Sequence, residues 1–424
     1  MLPEGWKLTT LGEVCSGKLQ TGPFGSQLHS HEYVERGVSV IMPKDLINCR
    51  VVLESAAKIP EEKAHELKKH QLVKGDLIFS RRGDVARFAL IDEASEGSLC
   101  GTGCLKATPN QKHSPLFLSY FMQKDSIKQW LEQNSVGQTM PNMNTEILRE
   151  LPLISASSRQ EEDKIAQILS TWDKAITTTE QLIANSQQQK KALLQQLLTG
   201  KKRLLDDNGV RFSGEWEEIK LGDLGVTFNG LTGKTKDDFG NGSAYIPYMN
   251  IFANSAIKLS QLERVNIKTD EKQNIVQRGD IFFTTSSETP EEVGMASVLL
   301  ENPIEPTYLN SFCFGFRPIS FEKVHPEFMQ FCLRSLSLRR KISELAQGAT
   351  RYNLSKNNLM KVTIHIPSIE EQQKIAAVLS SADREIEALQ GKLTALKQEK
   401  KALMQQLLTG KRRVFVHTKE NDDV

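Results

Sequence analysis

Two stretches of the chain carry apolar residues at alternating steps of four and three over about forty positions. The first stripe runs Ile165, Leu169, Trp172, Ile176, Thr179, Ile183, Ser186, Lys190, Leu193, Leu197, and the second runs Ile375, Leu379, Ala382, Ile386, Leu389, Leu393, Leu396, Lys400, Leu403, Leu407. This spacing keeps one face of a helix turned toward a partner helix. The second stripe is the first displaced by 210 positions, and residues 160–200 set against 370–410 share 19 identities in 41 positions without a gap. Neither stretch contains proline. Gly200 and Gly410 stand where a helix C-cap belongs, with Lys and Arg just beyond. Each stretch therefore predicts a helix of about 40 residues, roughly 60 Å long. Thr179, Ser186 and Lys190 interrupt the first seam, and polar seam residues fix register more than they add stability. Off the seam, Ile168, Leu194, Leu198, Val378, Met404 and Leu408 are free to bury against a further protein.

The segments before the helices correspond more loosely. "EGWKLTTLGEV" (4–14) matches "GEWEEIKLGDL" (214–224), pairing Trp6 with Trp216 and Gly12 with Gly222. "VIMPKDL" (40–46) parallels "AYIPYMNI" (244–251), and "LVKGDLIFSRRGD" (72–84) parallels "IVQRGDIFFTTSSE" (275–288), where a Gly-Asp turn precedes a short apolar strand and a polar loop. "GQTMPNMNTEIL" (137–148) parallels "QGATRYNLSKNNL" (347–359). Between these landmarks the residues differ almost completely. The predicted class is α+β: two globular α/β domains separated by a pair of long antiparallel coiled-coil helices, with an internal pseudo-twofold repeat. The expected segments are a first domain 1–156, a long helix 157–200, a linker 201–212, a second domain 213–367, a second long helix 368–410 and a flexible tail 411–424. Parallel helices would force residues 201–368 to span back the helix length, against the preference for short connections. Antiparallel helices instead place the domains at opposite ends of a rod.

Composition narrows the function. At 424 residues with 39% hydrophobic and 25% charged content, the chain is long enough for two or three cored domains. No run of about 18 apolar residues occurs and "MLPEGWKLTT" opens without a basic region and apolar stretch, so neither a membrane span nor a signal peptide is expected. Six cysteines form no disulfide framework and read as reduced thiols of a cytoplasmic protein. His29 and His31 read as a loop, not as a metal site. A net charge of +2 permits nucleic-acid binding without arguing for it. No His-Glu-x-x-His, nucleophile elbow or Asn-Pro-Pro-aromatic box is present, and "LTGKT" (231–235) lacks the first glycine of a phosphate loop, having Phe228 there. The chain is expected to supply an address and no chemistry.

The pattern resembles a known family, the DNA-specificity subunits of Type I restriction–modification systems. The resemblance covers nearly the whole chain and is carried by "PEGWKLTTLGEV" at the start, "GDLIF" and "GDIFF", "GATRYNLSKNNL", "IPSIEEQQKIAAVLSSADREI" and the twin "LLTGK" helix ends. The first copy departs from the "IPSIEEQQKIA" block, reading "ISASSRQEEDKIA" (154–166), with Glu162 where the second copy has Gln372. The resemblance implies that each globular segment is a target-recognition domain reading one short word of a split, asymmetric site on double-stranded DNA. It implies partners too: two methyltransferase subunits, which bind S-adenosylmethionine, and two restriction subunits driven by ATP, with Mg. No cofactor is expected in this chain.

Base reading needs a few side chains on base edges, with Lys and Arg on phosphates supplying position. The candidates in the first domain are Phe24, Ser26 and Gln27 of the glycine-rich loop "TGPFGSQ", Lys44, and Arg81 with Arg82 as base readers. In the second they are Thr232, Lys234, Thr235, Lys236, Thr285, Ser286, Arg351 and Tyr352. The other reading that composition leaves open is a coiled-coil scaffold whose domains bind proteins, which the near-neutral charge favours. If the helices act as a ruler, one heptad inserted in both lengthens the rod by about 10 Å, roughly three base pairs. Methylation mapping should then show a longer gap between unchanged half-words; altered half-words would contradict the ruler.

Overall fold

The computed structural model describes residues 2–137 and 141–416, so Gln138–Met140 of the loop at 137–148 and residues 417–424 of the tail lie outside the described residues. The chain divides into two compact units: unit 1 is Met1–Glu180 with Lys392–Val424, and unit 2 is Gln181–Gly391. Each unit takes most of one domain and its following helix, and is completed by part of the other helix.

In unit 1 a four-stranded antiparallel sheet contains β1 (Leu19–Thr21), β2 (Leu77–Ser80), β3 (Phe88–Leu90) and β4 (Cys104–Ala107), in the order β1-β4-β2-β3. Unit 2 repeats it with β5 (Gly225–Asn229), β6 (Ile281–Thr284), β7 (Ala296–Val298) and β8 (Cys313–Pro318), in the order β5-β8-β6-β7. The strands β2 and β6 are the apolar runs that follow the Gly-Asp turns, and all four residues of each are buried. Burial on both faces explains why they read as continuous apolar runs. Leu77 and Phe79 enter one cluster while Ile78 enters another; Ile281 and Phe283 do the same against Phe282. The turn before each strand needs glycine, since Gly75 and Gly279 have φ of +93° and +90°. The aspartate next to it closes the turn: Asp76 Oδ2 accepts from Val73 N at 3.0 Å and Asp280 Oδ2 from Gln277 N at 2.8 Å.

A second, three-stranded sheet also recurs, built on Val38–Ile41 in unit 1 and Phe239–Ile246 in unit 2, each with one antiparallel and one parallel neighbour. A third device ties the ends of each domain together. Lys7–Thr10 pairs antiparallel with Pro152–Ser155, and Glu217–Lys220 with Thr363–Ile366, so each domain starts and finishes beside a long helix.

The long helices are α1 (Arg159–Leu197) and α2 (Ile369–Leu407), 39 residues each. In unit 1 Asp173 of α1 meets Lys400 of α2 at 2.6 Å and Glu180 meets Lys397 at 2.7 Å. In unit 2 Lys190 meets Asp383, and Ser186 Oγ donates to Glu385 Oε1 at 3.4 Å. Within each unit the partner number falls as the first rises, so the helices run antiparallel. Lys190 and Lys400, the two lysines on the seam, thus hold equivalent aspartates, Asp383 and Asp173. Each lysine also lies over an aromatic ring, Phe331 at 5.7 Å and Tyr120 at 5.3 Å.

The two helix ends close the two units. Gly200 and Gly410 take φ of +68° and +71°, the left-handed cap the sequence predicts, and pack against Trp216 and Trp6. Just beyond, Arg203 reaches Glu371 with Nε and Nη2, both at 2.6 Å, in unit 2. Arg413 reaches Glu161 in unit 1 at 2.6 and 3.0 Å. Trp6 Nε1 adds a bond to Glu161 Oε2 at 3.3 Å. Residues 411–414 are therefore tied down, since Val414 also packs on the unit 1 core.

Burial along the seam is uneven. Ile165, Leu169 and Leu407 are buried in the core of unit 1, and Leu197, Ile375 and Leu379 in that of unit 2, with Leu403 and Leu193 packed against those cores. Trp172, Ile176, Ile183, Leu389, Leu393 and Leu396 are half-buried, and Ile386 is buried. The off-seam residues expected to await a further protein are used internally: Leu198 and Leu408 are buried and Ile168, Leu194, Val378 and Met404 pack against the same cores. The difference between Glu162 and Gln372 also resolves into one shared contact. Glu162 Oε2 accepts from Ser114 N at 2.7 Å and Gln372 Oε1 from His325 N at 2.9 Å, each just before the proline that starts a helix, Pro115–Met122 or Pro326–Cys332.

Removing either clasp arginine leaves a buried carboxylate without its counter-charge, although Glu161 keeps hydrogen bonds from Trp6 and Ser157. Arg203→Ala is expected to cost about 3 kcal/mol or more in urea denaturation. The cost should be smaller for Arg413→Ala, whose guanidinium side chain is 43% exposed. Burial works to raise the Glu161 carboxyl, but hydrogen bonds from Arg413 and Ser157 overcome it and hold it below its ordinary value. Its contribution should be present above the unfolded carboxyl value of about 4.5 and lost as pH falls through the lowered value, a loss diminished in Arg413→Ala.

Candidate nucleic-acid interface

In each unit five chain segments converge at one end of the four-stranded sheet. In unit 1 the loop after β1 lies against the β4 hairpin so closely that a Cβ on Gly22 would sit 1.8 Å from Gly101 O, and Gly103 abuts Pro43 of the Lys44 turn. Arg81, leaving β2, donates its N–H to Gly103 O at 2.8 Å and accepts at its carbonyl from Met143 N at 2.8 Å. Arg82 stands opposite Asn142. In unit 2 a Cβ on Gly230 would sit 2.1 Å from Asn310 O. Thr285, leaving β6, donates to Phe312 O at 2.9 Å and accepts from Leu354 N at 2.8 Å. Ser286 stands opposite Asn353, and Tyr248 donates its hydroxyl to Ser286 O at 2.9 Å. Burial raises the Tyr248 phenol, so it stays protonated as that donor.

Most of the sequence candidates fall on these two rims. Phe24 is 60% exposed at the tip of a turn closed by Gln27, whose side chain accepts from Phe24 N at 3.1 Å. Ser26, Lys44 and Arg82 are exposed, while Arg81 is half-buried with its Nε unpartnered among the described residues. Lys44 Nζ donates to Ser55 O at 3.1 Å. In unit 2 Thr232, Lys236 and Arg351 are exposed and Thr285 and Ser286 half-exposed. Three candidates serve the fold. The Lys234 side chain is only 2% exposed; it pairs with Glu271 at 2.5 Å and donates to Asn266 O at 2.6 Å, so it is corrected from a DNA contact to a loop brace. Thr235 spends its hydroxyl on Asp238, at 3.0 Å, to cap the next turn. Tyr352 leans on the core of unit 2.

The sequence reading missed Phe312, 62% exposed in the turn before β8, and Met249, 60% exposed beside Tyr248. The one signal for Phe312 is its place in "NSFCFG", an apolar residue in a polar turn before the buried run of β8. Among the described residues no group of three or more His, Cys, Asp or Glu is placed to hold a metal ion, all six cysteines are free, and no helix is long and apolar enough to cross a membrane.

Comparisons with known proteins bear on both units. The family model described as the Type I restriction modification DNA specificity domain matches residues 3–185 and 213–398. The chain is 24% identical over 439 residues to the putative type I restriction enzyme MjaX specificity subunit of Methanocaldococcus jannaschii, covering 97% of this chain and 95% of that one. In fold it is similar to the Type I restriction–modification S subunit of M. genitalium, with a TM-score of 0.56 at 15% identity over 95% of this chain and 96% of the other. It is likewise similar to the HsdS subunit of Thermoanaerobacter tengcongensis, with a TM-score of 0.53 at 18% identity over 97% and 98%.

The two lysines of the unit 2 loop should separate by experiment. Lys234→Ala is expected to destabilise unit 2 by about 2 kcal/mol while leaving the salt dependence of duplex binding intact. Lys236→Ala should leave the melting temperature alone and flatten the salt dependence. The reverse pattern would return Lys234 to the interface.

Proposed function

The chain belongs to the Type I restriction–modification DNA specificity family, and from that premise we propose that its two rims read the two halves of a split, asymmetric DNA target. The observation that carries this reading is the recurrence of one rim on unlike residues. Corresponding segments meet in each unit, yet the exposed and half-exposed groups differ: Phe24, Ser26, Gln27, Lys44 and Arg82 in one, Thr232, Lys236, Thr285, Ser286 and Arg351 in the other. A homodimer with a twofold axis reads the same half-site twice. A duplicated frame with divergent loops reads two different words from one chain.

The chain supplies the address, and the reaction belongs to its partners: two methyltransferase subunits that bind S-adenosylmethionine and two restriction subunits that use ATP and Mg, all working in the cytoplasm. Duplication of the helix ends supports two equal methyltransferase copies. Lys191, Gln195 and Thr199 recur as Lys401, Gln405 and Thr409. They line a groove of about 580 Å³ in unit 2 and one of about 630 Å³ in unit 1. Thr199 and Thr409 each bond the preceding helix turn, but packing inside either unit does not demand identity at the exposed Lys191, Gln195, Lys401 and Gln405, whereas a shared partner does.

The test is a long-read methylation map of cells expressing the chain with its neighbouring methyltransferase, against cells lacking the chain. The expected result is a split motif, two different short words around a fixed unspecified gap, present only with the chain. A stable complex that leaves no chain-dependent motif would overturn the reading in favour of a protein-binding scaffold.

A further inference from the structure

The rim loops of the two units are unlike each other with one exception. The segment at 137–144 reads "GQTMPNMN" and that at 348–355 reads "GATRYNLS", so Gly, Thr and Asn recur at the same places. Both end at the N-cap position of the next short helix, Asn144 and Ser355. The structure closes both on the same backbone bonds. Val136 and Asn142 exchange N–H to carbonyl bonds at 3.0 and 2.9 Å, and Gln347 and Asn353 do so at 3.0 and 2.8 Å. Gly137 and Gly348 take φ of +106° and +129°, which disfavours a side chain at either position. Each segment then docks on the chain leaving the central strand through an equivalent bond, Met143 N to Arg81 O and Leu354 N to Thr285 O. The product in each unit is a two-stranded ribbon at the edge of the rim.

Each ribbon carries one exposed arginine, but on opposite strands. In unit 1 it is Arg82, opposite Asn142. In unit 2 Ser286 takes that place opposite Asn353, and the charge sits across the ribbon on Arg351. In unit 1 Arg81 Nε and Asn142 Oδ1 are also buried without a hydrogen-bond partner among the described residues. Residues that read two different words have to differ, so what both units share serves what both half-sites share, the sugar–phosphate backbone. A phosphate asks for a positive charge at a place. It tolerates the charge arriving from either strand, whereas a bidentate base contact fixes the side chain's direction.

Resting on the reading of the rims as DNA readers, we propose that the two ribbons are phosphate clamps that set register without reading sequence. Arg82 in unit 1 and Arg351 in unit 2 each neutralise one backbone phosphate of their own half-site. The loops at 22–27 and 230–236 carry the words. Arg82 thereby moves from the base-reading role expected of it to a positioning one.

The test uses the full chain assembled with its methyltransferase. Arg82→Ala and Arg351→Ala are compared with the parent for affinity to cognate and random duplex across 50–200 mM salt, and for the methylated motif in cells. Each is expected to reduce the log–log salt slope by about 0.9 and to weaken both duplexes by the same factor, leaving both half-words unchanged. Arg82→Lys and Arg351→Lys should restore the slope, because a point charge suffices. A relaxed half-word, or a salt slope that does not move, overturns the clamp. Ser26→Ala with Gln27→Ala probes the rim itself and should alter the first half-word alone. If those changes leave motif and affinity untouched as well, the rim reading falls together with the clamp; if only the arginine results fail, the rim stands and the clamp does not.

Discussion

Two buried carboxylates organise this molecule. Glu161 and Glu371 sit near the start of the two long helices, almost without exposure, and a charged carboxylate is not tolerated there unless it is paired. Each finds its guanidinium far along the chain, Arg413 at 252 positions' separation and Arg203 at 168. Those pairings require the end of each helix to return to the start of the other, which makes the helices antiparallel within each unit. Gly410 on Trp6 and Gly200 on Trp216 complete the same junctions, and Leu407 with Leu408, and Leu197 with Leu198, enter the cores beside them.

The seam lysines complete this arrangement. Lys190 with Asp383 and Lys400 with Asp173 are ion pairs along a largely apolar stripe, and a shift of one turn would leave each lysine and aspartate unpaired in a half-buried place. Apolar residues alone would accept several registers. The frame that results is nearly the same in both units, from the Gly-Asp turns to the strand pair that joins each domain's two ends. Since that frame carries the packing, the loops at the end of each four-stranded sheet are released from it. Their residues are free to diverge, and they have done so everywhere except in the ribbon.

The misreadings of the sequence share a cause. Lys234 looked like a surface cation beside a glycine, and only the fold brings Glu271 and Asn266 around it. Leu198 and Leu408 looked surplus to a two-helix seam because each is buried in the core of a domain, and only the fold brings that core to the helix end. Glu162 and Gln372 looked like a broken match until both were seen to receive a backbone N–H through one side-chain oxygen. Phe312 carried almost no signal, since exposure of an apolar residue in a turn is a property of its surroundings.

What the sequence determined by itself was whatever is local or repeated. A helical stripe is written in steps of three and four, a Gly-Asp turn in two adjacent residues, a glycine cap in one, and a duplication in a constant shift of 210, so the two-domain, two-helix plan and the division into frame and loops could be read directly. The tertiary structure decided which helix end closes which unit, which cations are spent inside the fold, and which segments meet at a rim. These depend on pairing and burial between residues far apart in the chain. The free energy of a charge or an apolar group depends on everything that surrounds it, and no window along the sequence contains that information.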